Sequence, residues 1–89
     1  MIVRFDKSFL KSLDKINSQS LKKRIVEVIK DLEKASSLHQ VKSVKKLQGF
    51  KNYYRVRIGD YRLGFELIDN MIILIILISH RKDIYRKFP

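Results

Sequence analysis

The chain is 89 residues long, enough for one domain with a modest core, and it contains no cysteine. Disulfide frameworks and thiolate metal sites are excluded, and the composition suits a reducing cytoplasm. Twenty Lys and Arg against nine Asp and Glu give a net charge of +11, a self-repulsion that a polyanionic partner would relieve. Nucleic acid is the leading candidate, with an acidic protein or an anionic membrane surface as alternatives. A hydrophobic content of 45% excludes a disordered chain.

The opening Met1-Ile2-Val3-Arg4-Phe5 reads as a short strand over Ile2 to Phe5 rather than a signal peptide. Asp6 is placed to cap a helix whose apolar face is Phe9, Leu10, Leu13 and Ile16. Asn17-Ser18 interrupts it, and Ser18 or Ser20 caps a longer helix built on Leu21, Ile25, Val28, Ile29 and Leu32. Both helices read as amphipathic packing against a sheet. A polar connection follows from Ser36 to Asn52, with Val44 and Leu47 as tethers and Gly49 at a turn. Its Lys45, Lys46 and Lys51 either extend a phosphate track or are simply solvated.

The segment from Tyr53 to Phe65 alternates in character on both sides of Gly59-Asp60, the signature of a hairpin with a two-residue loop. Ile58 should pair with Tyr61, Arg57 with Arg62, Val56 with Leu63 and Tyr54 with Phe65. Side chains repeat every two residues along a strand, so Arg55, Arg57 and Arg62 share one face. Val56, Leu63, Phe65 and the ring of Tyr54 share the other. A third strand, Met71 to Ser79, is apolar on both faces, as expected of an internal strand. Its eight-residue apolar run from Met71 to Ile78 is far short of the ~20 residues of a bilayer-spanning helix. With Asp69-Asn70 as the turn, Leu67 should face Ile72, Phe65 Leu74, Leu63 Ile76 and Arg62 Leu77. Arg81 then shares the parity of Arg62. Lys82 to Phe88 reads as one short helix, in which Tyr85 neighbours Arg81. The fold class is α+β: one domain over residues 1–89, with a small, mainly antiparallel sheet in the order β-α-α-β-β-β-α. Two N-terminal helices cover one face, and a short C-terminal helix closes the chain.

Like charges directly opposite on a sheet are destabilising, so the arginine face points to an anionic ligand. Its structural alternative is a solvated outer sheet face. Arginine is a planar, permanently charged donor matched to phosphate. A cluster can hold an RNA backbone or stabilise the extra charge of a phosphorane-like transition state. Cleavage without metal is easiest on RNA, whose 2′-hydroxyl is the nucleophile, and it needs a base and an acid beside the cations. No carboxylate cluster has metal-ligand spacing, so no metal and no cofactor are expected. His80 suits acid–base work near neutral pH, but strand parity aims it away from Arg81. Tyr53 and Tyr61 are open to base stacking, whereas Tyr54 reads as core.

Three stretches carry a resemblance: Lys46-Leu47-Gln48-Gly49, then Tyr54 to Leu63, then His80-Arg81-Lys82-Asp83-Ile84-Tyr85-Arg86. Together they are similar to the RelE branch of the RelE/ParE toxin superfamily, and the order of elements agrees over the whole chain. The resemblance implies a ribosome-dependent, metal-independent mRNA endoribonuclease that cuts the codon in the ribosomal A site. It also implies a cognate antitoxin as partner, with the ribosome and mRNA, in the cytoplasm. By position Arg62 and Arg81 match the family's phosphate-stabilising arginines and Tyr85 its C-terminal tyrosine. Arg55 and Arg57 stand where well-known members have lysines. Arginine cannot shuttle a proton, so Tyr85 or His80 must be the base, or charge stabilisation carries most of the rate. Arg86, Lys45, Lys46 and Lys51 would contact RNA. The alternatives are a ParE-like toxin that binds gyrase without nuclease activity, and a degenerate relative that binds only RNA or an antitoxin-like peptide.

Overall fold

A computed structural model describes residues 1–89. Strand β1 (Ile2–Phe5) leads into helix α1 (Lys7–Asp14), then α2 (Gln19–Lys34) and a 3₁₀ turn (Leu38–Gln40). Strands β2 (Val44–Lys46), β3 (Tyr53–Ile58), β4 (Tyr61–Asp69) and β5 (Ile72–His80) follow, and α3 (Ile84–Lys87) ends the chain. The sheet runs β1-β5-β4-β3-β2, with β1 parallel to β5 and every other pair antiparallel. This is the expected α+β architecture with one strand more. No helix is long and apolar enough to cross a membrane.

Local chemistry starts and stops the helices. The Asp6 carboxylate accepts the Ser8 N–H, and Ser18 Oγ accepts the Leu21 N–H, each satisfying a donor the helix leaves free. Helices α1 and α2 bury Phe9, Ile25 and Leu32 against the sheet, with Ile16 packed beside them. From the sheet, Val56, Ile58, Leu63, Phe65, Ile73, Ile75 and Ile78 complete this core. Leu10, expected on the apolar face, is 50% exposed. Tyr54 stacks on Phe65 with ring centres 5.5 Å apart, in the core as its parity requires.

The hairpin β3–β4 adopts the expected register: Tyr54 faces Phe65, Val56 Leu63, Arg57 Arg62 and Ile58 Tyr61. Gly59 takes a positive φ of 59°, the position at which a two-residue hairpin loop needs a glycine. The register between β4 and β5 differs from expectation. Leu67 faces Ile73, Phe65 Ile75, Leu63 Ile78 and Arg62 Ser79. Asp69 pairs with Ile72, so the loop is Asn70-Met71 and not the expected Asp69-Asn70, and irregularities at Ile68 and Ile76 reset the alternation. Strand β5 is apolar at nearly every position, so its pattern does not choose an inward face.

Strand β2 lies inside the connection expected to be irregular. Ser43 carries a φ of 66°, and its carbonyl accepts the Arg57 N–H at 3.3 Å, which turns Val44 to Lys46 into register with β3. The opposite sheet face carries a second, smaller apolar cluster. Leu47, Ile84 and Phe88 are buried there, with Tyr53, Ile76 and Leu77 against them.

Candidate nucleic-acid interface

Arg57 and Arg62 are direct cross-strand partners, and Arg55 stands opposite Gly64 on the same face. On the far side of β3, Lys45 is the partner of Arg55 and joins this face. Lys46, one residue on, pairs with Tyr54 and turns to the other side, where it lines a cleft with Met1, Leu38 and Val44. Lys51 lies in the exposed loop beside Phe50.

Arg62 is at the centre. Its Nη1 donates to the carbonyls of Gly59 and Tyr61, both at 2.9 Å, which folds the guanidinium back over the hairpin tip. Partial burial lowers its proton affinity, and the charges of Arg55, Arg57 and Arg81 push the same way. Tyr85 is also within electrostatic reach and acts in the opposite sense. Arg55, Arg57, Arg81 and Tyr85 are therefore the groups whose charges bear on this guanidinium, which stays protonated because arginine's own proton affinity is so high. Arg81 sits just past β5 and its N–H donates to Asp60 O at 2.8 Å, which ties it to the hairpin tip. Helix α3 spans only Ile84–Lys87 of the helix anticipated over Lys82 to Phe88, and Arg81 lies in the turn between it and β5.

No carboxylate neutralises this group. The sole salt bridge of the chain is Arg86 to Asp83, on the helix beside it. That pairing holds Asp83 below the usual carboxylate range, chiefly through the Arg86 hydrogen bond, and it occupies Arg86 locally. Three His, Asp or Glu side chains converge nowhere in the molecule. Tyr85 is 62% exposed and open to a ligand.

His80 belongs elsewhere. It pairs with Tyr61 on the helix-covered side, edge-to-face at 5.5 Å, and its Nδ1 accepts the Lys82 N–H. It lines a cleft with Lys11, Lys15 and Lys87 rather than the arginine face. Tyr53 has the parity of the arginines but packs edge-to-face on Phe50 and on Phe88. Sequence reasoning passed over two contributors. Ser43 O receives Arg55 Nη1 at 3.4 Å as well as the Arg57 amide, and serine gives no advance sign of a positive φ. Phe88, near the chain end, is 2% exposed.

A family model described as the ParE toxin of type II toxin–antitoxin systems matches residues 3–85. The chain belongs to this toxin family. Toxin RelE3 of Methanocaldococcus jannaschii is 40% identical over the full length of both chains. The toxin of a RelB–RelE antitoxin–toxin complex from Methanococcus jannaschii superposes with a TM-score of 0.80 at 36% identity, over 97% of this chain and 99% of that one. An archaeal RelE–RelB complex from Pyrococcus horikoshii gives 0.72 at 26% identity, over 90% and 93%. These likenesses cover nine-tenths or more of the chain and place it on the RelE branch of the family.

Proposed function

We propose that this toxin is an mRNA endoribonuclease acting on the translating ribosome in the cytoplasm, without a metal ion, and that a cognate antitoxin neutralises it. The observation that carries the reading is Arg62 paired across the strands with Arg57, on a face shared with Arg55 and Lys45 and with no acidic partner. Arg81 is tied to the same hairpin tip, and the charges of Arg81 and Tyr85 bear on Arg62. In the step envisaged, the 2′-oxygen of the A-site nucleotide attacks the adjacent phosphorus. The bond to the 5′-oxygen breaks, leaving a 2′,3′-cyclic phosphate and a 5′-hydroxyl. Arg62 and Arg81 neutralise the non-bridging oxygens as charge builds in the transition state. Arg55, Arg57 and Lys45 hold the flanking backbone.

Proton transfer falls to Tyr85 rather than His80, because His80 faces Tyr61 across the sheet from the arginines. Acting as its phenolate, Tyr85 takes the 2′-hydroxyl proton, and the phenol so formed returns that proton to the departing 5′-oxygen, which restores the phenolate. The antitoxin partner is inferred from the relatives, solved as RelB–RelE complexes, and from a charge of +11 that an acidic chain would offset.

The test is 5′-end mapping of mRNA after brief induction. Cuts in phase with the reading frame are expected. Arg62→Ala, Arg81→Ala and Tyr85→Phe should each relieve growth arrest at equal expression with the fold intact; wild-type toxicity in all three would defeat the proposal. The family description favours a second reading, a ParE-like toxin that poisons gyrase. It requires loss of DNA supercoiling before translation stops. A chain that neither arrests growth nor cuts RNA would be a degenerate relative.

A further inference from the structure

The arginine face ends where the smaller apolar cluster begins, and one contact joins them. A Cβ built on Gly64 would meet Phe88 Cδ2 at 2.8 Å and its Cε2 and Cγ at 2.9 Å, closer than real Cβ atoms approach anything. Positive φ among glycines is confined to Gly49 and Gly59, so Gly64 is needed for the space above it and not for its backbone. The Phe88 ring fills that space. Tyr53 closes one side edge-to-face at 5.5 Å, and Leu47 and Ile84 close the rest.

This seat determines where Tyr85 goes. Helix α3 is four residues long and has no side-chain cap, far below the ~12–15 residues at which an isolated helix becomes marginally stable. Its position therefore comes from its anchors. Ile84 and Phe88 are the two buried residues of the tail, and the Phe88 N–H donates to Ile84 O at 2.8 Å, so ring and helix move together. Tyr85 lies between them in sequence and is 62% exposed, on the side of the tail away from its buried anchors, and its charge bears on Arg62. Arg62 and Gly64 are two apart on one strand and share a face. The ring over Gly64 thus anchors the segment that carries Tyr85 two residues along β4 from Arg62.

We propose that Phe88, seated in the notch left by Gly64, is the positioning residue that holds Tyr85 against Arg62. Its catalytic consequence rests on the ribonuclease reading, but its structural content does not. Gly64→Ala and Phe88→Ala should each speed amide exchange in residues 82–89 while protection of β3–β5 is kept. In both, kcat for cleavage on programmed ribosomes should fall about tenfold or more with KM nearly unchanged, the signature of a displaced catalytic group. Gly64→Ala combined with Phe88→Leu should regain most of the kcat lost by Gly64→Ala, because the narrower side chain leaves room for the added methyl. Unchanged exchange in both single variants overturns the proposal. So does a loosened tail with wild-type kcat, or a double variant no better than Gly64→Ala. If the wild-type chain cuts no RNA, the proposed function falls, and a Tyr85-to-Arg62 proton contact by NMR decides the positioning. Its presence in the wild type and loss in Phe88→Ala supports the seat; its persistence in Phe88→Ala refutes it.

Discussion

Replacing Arg57 with glutamine should make this protein more stable and less active. Arg57 lies directly across from Arg62 and two residues from Arg55 on the same face. None of the three has an acidic partner, since the sole salt bridge is Arg86–Asp83. A like-charged cross-strand pair costs about 0.2–1 kcal/mol, and two unit charges 4 Å apart in water repel by about 1 kcal/mol. Arg57 is exposed, so the lower end of the Coulomb scale applies. Removing its charge should relieve about 0.5–1 kcal/mol in total. Glutamine keeps most of the side-chain length, and Arg57→Lys serves as the charged control.

For a domain of this size, 1 kcal/mol moves Tm by about 4–8 °C, so Arg57→Gln should melt about 2–8 °C above the wild type at low salt. The difference should shrink towards zero near 1 M salt, where the Debye length falls to about 3 Å. Arg57→Lys should melt with the wild type throughout. RNA cleavage should drop in Arg57→Gln alone. If Arg57→Gln melts at or below the wild type, or if its gain is insensitive to salt, the arginines do not repel one another in the folded state. The inference from unpaired charge to an anionic ligand then loses its basis.

Lys45→Glu should weaken RNA binding and flatten its salt dependence, because Lys45 is the cross-strand partner of Arg55. Lys46→Glu, on the opposite face, should leave both unchanged; equal losses in filter binding would show that face does not matter. Stability should fall in acid from two carboxylates. Hydrogen bonds from Ser8 hold Asp6 below its ordinary range, and the Arg86 hydrogen bond does the same for Asp83. A depressed carboxylate stabilises the fold above its unfolded pKa of about 4 and loses that contribution as pH falls through the lower folded value. Urea midpoints should therefore decline below about pH 4, and Asp6→Asn should reduce that slope; an unaltered profile would remove Asp6 from the account. Ser18→Ala should cost about 1 kcal/mol by leaving the Leu21 N–H without its cap, read from the same urea curves.

The β3–β4 hairpin was legible because two independent signals agreed. Alternation over Tyr53 to Phe65 set the faces, and Gly59-Asp60 set the loop, so every expected cross-strand pair is found. The partner strand was not legible. In β5 apolar residues occupy both faces, so neither its register nor the offsets at Ile68 and Ile76 leave a trace in composition. The three residues of β2 owe their pairing to Ser43, whose positive φ no side-chain preference announces. The grouping of Arg55, Arg57 and Arg62 followed from strand period alone. Arg81 was tied to it by its parity with Arg62 and Tyr85 by helical spacing from Arg81, with the family resemblance adding their roles. The seat of the tail left no such signal, because it depends on Phe88 and Gly64, which are 24 residues apart.

The sheet tolerates its arginines because its two faces are energetically unequal. Behind them Val56, Ile58, Leu63 and Phe65 are each no more than 2% exposed. Burying such a side chain is worth about 1.5–3 kcal/mol, so four contribute several times the ~1 kcal/mol of repulsion in front. Burial on the helix-covered face can therefore keep the like charges of the opposite face at fixed spacing without a ligand present. A bound phosphodiester meets cations already gathered and pays little to reorganise them, which is the condition under which charge stabilises a transition state more than a ground state. Truncating the core should accordingly cost activity only through unfolding. Phe65→Ala, expected to cost about 3–5 kcal/mol, should retain its kcat per folded molecule, measured where folded fraction is set by urea. A fall in kcat that outpaces the folded fraction would show that the core also tunes the site.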